Sequence, residues 1–169
     1  MRRAMVLLCM DIGLVALCAP VWMQMPVRIV HNPSDSVPRG WYRIWKADGL
    51  QVGDIVLARL PVVPATLAAQ RGYLPAGVPI LKRIGAVVPQ SVCVSDGAVR
   101  IDDDVVATVR MHDGKERELP VWSQCRRLTS GELFLLSTNP ASFDSRYFGP
   151  ITTKAVIGSA QPLWTWSTL

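Results

Sequence analysis

The chemistry available to this chain lies in hydroxyls, one lysine and one carboxylate–guanidinium pair, carried by three short segments. The first, Asn32-Pro33-Ser34-Asp35-Ser36-Val37-Pro38-Arg39-Gly40, is a polar turn whose prolines restrict the backbone and whose two serines flank an aspartate. A stiff turn can hold a hydroxyl fixed and exposed, as a nucleophile requires. Taken alone, the same residue types also make an ordinary surface loop. The second segment, Val78 to Val88, is strand-like with Lys82 at its middle. Period-two alternation puts Ile80, Lys82 and Ile84 on one face and Leu81 and Arg83 on the other. If the isoleucine face is buried, Lys82 is desolvated and its pKa falls toward the range where a neutral amine accepts a proton. A serine beside such a lysine is activated without histidine. The alternative is a lysine that snorkels at a sheet edge. The third segment, Ala141 to Pro150, sets Ser142, Asp144, Ser145 and Arg146 among Phe143, Tyr147 and Phe148. That density suits an internal polar network, although an Asp–Arg pair closing a loop would use the same residues.

Other chemistries have little to build on. The two histidines and four cysteines fall in no CxxC, HExxH or HxxxH spacing, so no metal or other cofactor is implied. His31 lies in the same turn as Ser36, with no third group evident to complete a serine–histidine arrangement. The 18 Lys and Arg against 13 Asp and Glu give a net charge of +5 and a pI near 9.3, but the basic residues are scattered and no Gly-rich phosphate loop is present. Such a charge suits an anionic membrane surface as well as nucleic acid. A cytosolic nucleic-acid binder conflicts with the N-terminus, so no nucleic-acid partner is expected.

These segments need an element to deliver them to their compartment and a scaffold to bring them together. From Ala4 to Met25 the chain is apolar except for Asp11 and Gln24. At about 1.5 Å per residue that stretch can span a bilayer core of roughly 30 Å. Arg2 and Arg3 precede it and no equivalent basic cluster follows, which places residues 26–169 on the exported side. The expected division is a membrane anchor over residues 1–25 and a periplasmic domain over 26–169. A cleavable signal peptide ending near Ala16-Leu17-Cys18 is the alternative. Beyond the span only Cys93 and Cys125 remain, an even pair in an oxidising compartment. A disulfide between them would contribute roughly 3–4 kcal/mol in the chain-entropy model. Two buried free thiols are the competing assignment.

With 169 residues, half of them apolar, a mean hydropathy of +0.25 and only 18% charged, the chain makes one packed domain. After residue 25 it breaks into short apolar runs punctuated by Gly, Pro and Asp-Gly. Expected strands are Trp41 to Ala47, Asp54 to Leu60, Pro79 to Val88, Ser91 to Ser95, Ala98 to Ile101, Val105 to Arg110, Leu133 to Thr138 and Lys154 to Ser159. Asp96-Gly97 and Asp113-Gly114 are expected hairpin turns, and Ala65 to Gln70 is helical. The fold class is mainly β: a coiled antiparallel sheet or barrel hung from an N-terminal transmembrane or signal helix.

The order of anchor, S-x-S-x-P-x-G, L-K-R-I and S-F-D-S-R-Y-F-G-P resembles the type I signal peptidases, and within them the TraF peptidases of conjugative plasmids. The form N-x-S-x-S-x-P-x-G-x-Y from Asn32 to Tyr42 and the stretch Ser142 to Ile151 carry the TraF likeness. The resemblance implies Ser36 as nucleophile and Lys82 as general base of a serine–lysine dyad. It implies Ser34 as an oxyanion-hole hydroxyl beside the backbone N–H of Ser36, Ser142 as the serine that orients the lysine, and Asp144 and Arg146 as the supporting polar pair. Gly53-Asp54-Ile55-Val56 resembles the family's G-D-x-V strand and is structural. Val37 stands where the family has methionine, and the large inserted domain of the bigger leader peptidases has no room here. The implied activity is a membrane-associated serine endopeptidase of the inner membrane that processes a pilin precursor through an acyl-enzyme, resolved by water or, giving a circular product, by the pilin's own N-terminal amine. The conjugation machinery is the implied partner. A general signal peptidase removing leaders from exported proteins is the alternative, and a non-catalytic periplasmic assembly protein is a reading from a different class. Trp41, Trp45, Trp122, Trp164 and Trp166 could form an apolar rim at the bilayer surface, or could pack in the core.

Overall fold

The structure is a computed structural model, describing residues 2–22 and 29–166. An N-terminal helix α1 (Arg2–Trp22) precedes the strands. Its side chains from Met5 to Val15 are exposed, including Leu7, Leu8, Ile12 and Leu14 at 59–63%. Among the described residues no helix is long and apolar enough to cross a membrane. The expected boundary at residues 25 and 26 lies outside the described residues.

The remaining chain is antiparallel β in two sheets, as its alternating apolar runs require. The larger sheet has the order β1-β2-β11-β3-β4-β9-β10. Its members are β1 (Ile29–Asn32), β2 (Arg39–Trp45), β3 (Ile55–Ala58), β4 (Ile80–Val87), β9 (Glu132–Leu136), β10 (Ile151–Thr152) and β11 (Val156–Trp166). β1 and β10 end the sheet without pairing to each other, so it is open rather than a closed barrel. The smaller sheet, of order β7-β6-β5-β8, comprises β5 (Ser91–Ser95), β6 (Ala98–Ile101), β7 (Asp104–Thr108) and β8 (Cys125–Arg127).

Both faces of the larger sheet's centre are covered. Along β9, Leu133 and Leu135 pack with Val56, Ala58, Ile84 and Ile151. The alternate residue Phe134 joins Ala86 of β4 against Val92, Val94, Val99 and Ile101 of the smaller sheet. A third cluster of Val37, Tyr42, Ile44, Leu57, Leu81 and Ala160 lies beneath the turn that carries Ser36. Val37 is 6% exposed and anchors that turn in the core.

Most expected strands form: Ser91–Ser95 and Ala98–Ile101 keep their expected bounds, and the ends of the others shift by one or two residues. Lys154 to Ser159 is corrected: Thr153–Ala155 is a 3₁₀ turn, and β11 runs on to Trp166 alongside β2. Asp96-Gly97 is the expected tight turn, with both residues at positive φ (51° and 72°). Asp113-Gly114 instead opens a longer loop closed by a bridge between His112 and Glu118, because Asp113 accepts from the N–H groups of Lys115 and Arg117. The helical run extends to α2 (Val62–Arg71), ended by the left-handed Gly72. Cys93 and Cys125 are cross-strand partners on β5 and β8 and form the disulfide, so the free-thiol alternative falls.

Candidate active site

The turn joining β1 to β2 is shaped by Asn32, which is 4% exposed. Its Nδ2 donates to the carbonyls of Ser34 (2.8 Å), Val37 (3.0 Å) and Pro38 (3.2 Å). Its Oδ1 accepts from the N–H of Ser34 (3.2 Å) and from Ser34 Oγ (2.9 Å). A buried amide is thereby satisfied while the chain is bent so that both serines project from the turn. The Tyr42 hydroxyl donates to the Pro38 carbonyl at 2.6 Å, and Asp35 pairs with Arg39 at the surface. Ser34 Oγ and Ser36 Oγ lie 2.9 Å apart. With the Ser34 proton directed to Asn32, Ser36 is the donor in that pair.

Lys82 occupies the middle of β4, opposite Val56 of β3, and is 4% exposed. Alternation along β4 holds: Lys82 is buried and Arg83 exposed. Leu81 is buried too, because the other face is also covered. Lys82 Nζ donates to Ser142 Oγ. Burial lowers the Lys82 pKa from its ordinary 10.5 to about 8, with Asp144 opposing that shift and Arg146 adding to it. The snorkelling alternative falls with this burial.

The pairing of Arg83 with Leu136 brings the chain that follows β9 alongside Lys82. Asp144 there caps the single turn α3 (Ser145–Phe148), accepting from the N–H of Arg146. The Arg146 guanidinium grips the same carboxylate with two bonds, from Nε at 2.8 Å and Nη2 at 2.7 Å. It also donates to the carbonyls of Thr108 (3.0 Å) and Asn139 (2.9 Å). Both side chains are at most 1% exposed. A buried bidentate pair, with further bonds from the guanidinium to backbone carbonyls, holds the loop 137–144, and hence Ser142, in one geometry.

Ser34, Ser36, Lys82 and Ser142 line a single cleft of about 890 Å³. Apolar side chains that include Leu60, Ala68, Leu74 and Leu119 also line it, with Arg110, His112 and Asp113. No hydrogen bond joins Ser36 Oγ to Lys82 Nζ among the described contacts; such bonds tighten when substrate binds. The His31 ring lies tilted against those of Trp41 and Trp166, with centroids at 4.9 Å and 5.9 Å, and makes no bond to Ser36 among those described. Trp122 belongs to the core, packing on Phe134 and against Gly149, whereas Trp41, Trp45, Trp164 and Trp166 are 41–73% exposed. Two residues given no role from sequence enter the site: Asn32, whose signal was its place before a double-proline turn, and Ser137, which the sequence places at the end of a strand.

The model of the family described as signal peptidase, peptidase S26, matches residues 1–166. A probable conjugal transfer protein TraF of Sinorhizobium fredii is 35% identical over 146 residues, 80% of this chain and 77% of that protein. A plasmid transfer protein TraF of Escherichia coli is 30% identical over 147 residues, 80% of this chain and 82% of that one. A conjugal transfer protein TraF of Agrobacterium fabrum is 34% identical over 144 residues, 79% and 81% of the two chains. Among solved structures, a signal peptidase I from Enterococcus faecalis matches with a TM-score of 0.39 at 19% identity, covering 66% of this chain and 97% of that one. A buried lysine and a serine turn on one cleft thus sit in a chain matched almost end to end by one family model, and the chain belongs to the signal peptidase family of serine peptidases, peptidase S26.

Proposed function

We propose that this protein is a membrane-associated serine endopeptidase that processes a pilin precursor during conjugation, with Ser36 as nucleophile and Lys82 as general base. The observation that carries it is a lysine 4% exposed, its pKa lowered to about 8, on the same cleft as the paired hydroxyls of Ser34 and Ser36. Neutral Lys82 takes the Ser36 proton as Oγ attacks the scissile carbonyl. The oxyanion is held by the Ser36 N–H and by Ser34 Oγ, which turns its proton away from Asn32. Protonated Lys82 then gives its proton to the leaving amine, and the acyl-enzyme remains. Water releases a linear product; attack by the substrate's own N-terminal amine releases a circular one. Ser142 keeps Nζ aimed, and Asp144 with Arg146 keeps Ser142 in place.

The conjugal role rests on the relatives' names. The membrane-side placement, with residues 26–169 in the periplasm, rests on Arg2 and Arg3 ahead of an apolar helix and on the exposed apolar side chains of α1. Trp41, Trp45, Trp164 and Trp166 add an exposed aromatic face suited to the bilayer interface. The test is co-expression with the candidate pilin precursor and the intact mass of the pilin, wild type against Ser36→Ala. A product one water lighter than the mature linear chain, absent in the variant, is expected for cyclisation. A trimmed linear product, absent in the variant, identifies a hydrolytic peptidase. Cleavage of unrelated leader peptides with the pilin untouched identifies a general signal peptidase. Identical processing in wild type and variant sinks the serine–lysine assignment and leaves a non-catalytic assembly protein.

A further inference from the structure

Ser137 lies just beyond β9 and is 3% exposed. Its hydroxyl donates to the backbone carbonyl of Ser36 at 2.8 Å, a contact between residues 101 positions apart in the chain. The same Oγ accepts from the N–H of Asn139 at 3.1 Å, and the Ser137 N–H donates to Asp144 Oδ2 at 3.0 Å. One side chain therefore joins the turn that carries the nucleophile to the loop that carries Ser142, the lysine's hydrogen-bond partner.

Building on the serine–lysine assignment above, we propose that Ser137 is a positioning residue of the peptidase reaction, holding the nucleophile's own carbonyl and so fixing Ser36 relative to Lys82. Asn32 and Tyr42 brace the turn from its own hairpin. They set its shape without reference to β4, where the base resides. The Ser137 bond reaches the turn from the end of β9, the strand paired with the one that carries Lys82. Holding the Ser36 carbonyl fixes the plane of the peptide that follows and limits rotation about the Ser36 Cα–C bond. The directions of its Cβ and of its N–H, the proposed oxyanion donor, are thereby restricted. A misplacement of about 1 Å between reacting groups can cost on the order of a hundredfold in rate. Ser137 touches no reacting atom, so its effect falls on turnover and leaves the titration of Lys82 alone.

The experiment uses the full chain with a peptide substrate bearing small residues before the cleaved bond. Ser137→Ala is expected to lower kcat roughly ten- to a hundredfold with KM within about threefold. The pH dependence should keep its limb near 8, and Ser137→Thr, which retains the hydroxyl, should recover most of the rate. Wild-type kcat in folded Ser137→Ala overturns the proposal, as does a moved pH limb or a folded Ser137→Thr no better than the alanine variant. If Ser137→Ala does not fold, Ser137→Cys keeps the volume and weakens the donor. A kcat lowered at least about threefold there supports the proposal, and an unchanged kcat overturns it. Ser36→Ala and Lys82→Ala are run alongside. Activity surviving in either sinks the dyad itself, whereas inactive dyad variants beside an unaffected Ser137→Ala sink only the role of Ser137.

Discussion

At the scale of single residues, the burial of Lys82 costs stability and supplies what the proposed chemistry uses. Its pKa of about 8 against 10.5 in the unfolded chain means that the unfolded state binds more protons between those values. Stability therefore rises with pH across that window and carries the full penalty below it. The shift corresponds to about 3 kcal/mol. Lys82→Met should abolish cleavage yet raise the unfolding free energy at pH 7 by up to about that amount, a gain that fades as pH approaches 10.5; urea titrations at several pH values measure it. In the wild type, kcat/KM should climb about tenfold per pH unit below 8 and level off above it, as neutral Lys82 accumulates. Asp144, by contrast, is needed for stability because it neutralises a buried charge. Asp144→Ala strands the buried Arg146 guanidinium and should cost about 3–5 kcal/mol, read as a lowered melting temperature, with Ser142 released from its position.

At the scale of elements, the site depends on where strands meet. β11 runs antiparallel to β2, and at Gly40, with φ of +143°, an added Cβ would fall 2.2 Å from the Trp164 carbonyl oxygen. Only glycine lets the two backbones approach so closely directly after the Ser36 turn. Gly40→Ala should destabilise the domain by more than about 2 kcal/mol and lower activity even in the fraction that remains folded, which thermal melts with parallel cleavage assays would show. The strand positions of Lys82 and its flanking isoleucines were legible from alternation. β1, β8 and β10 were not, because two to four residues carry too little period-two signal to separate from loop. The helical turn α3 was likewise hidden, since its four residues are specified by the Asp144 cap and by tertiary burial rather than by an amphipathic repeat.

At the scale of the whole molecule, the two sheets share one core through Ala86 and Phe134, and the Cys93–Cys125 disulfide staples β5 to β8 in the sheet that does not carry the proposed dyad. Replacing both cysteines by serine should lower stability by as much as about 3–4 kcal/mol while leaving kcat near wild type at temperatures where the domain stays folded. Reductant should reproduce the stability loss in the wild type and change nothing in the double variant. Calorimetry with and without reductant checks both.

The serine turn, the lysine strand and the Asp–Arg segment were readable from residue type and order, because short-range patterns of proline, alternation and charge specify such local elements. The sequence named Cys93 and Cys125 as the one pair available outside the N-terminal apolar stretch, and their cross-strand pairing on β5 and β8 decided for the disulfide over two free thiols. What only the tertiary structure decided is which atoms meet: Ser137 on the Ser36 carbonyl, Lys82 on Ser142, Arg146 on five different residues. Those contacts join residues up to 101 positions apart. They exist because the order of strands in an open antiparallel sheet brings distant loops to one cleft, a long-range pairing that no local pattern encodes.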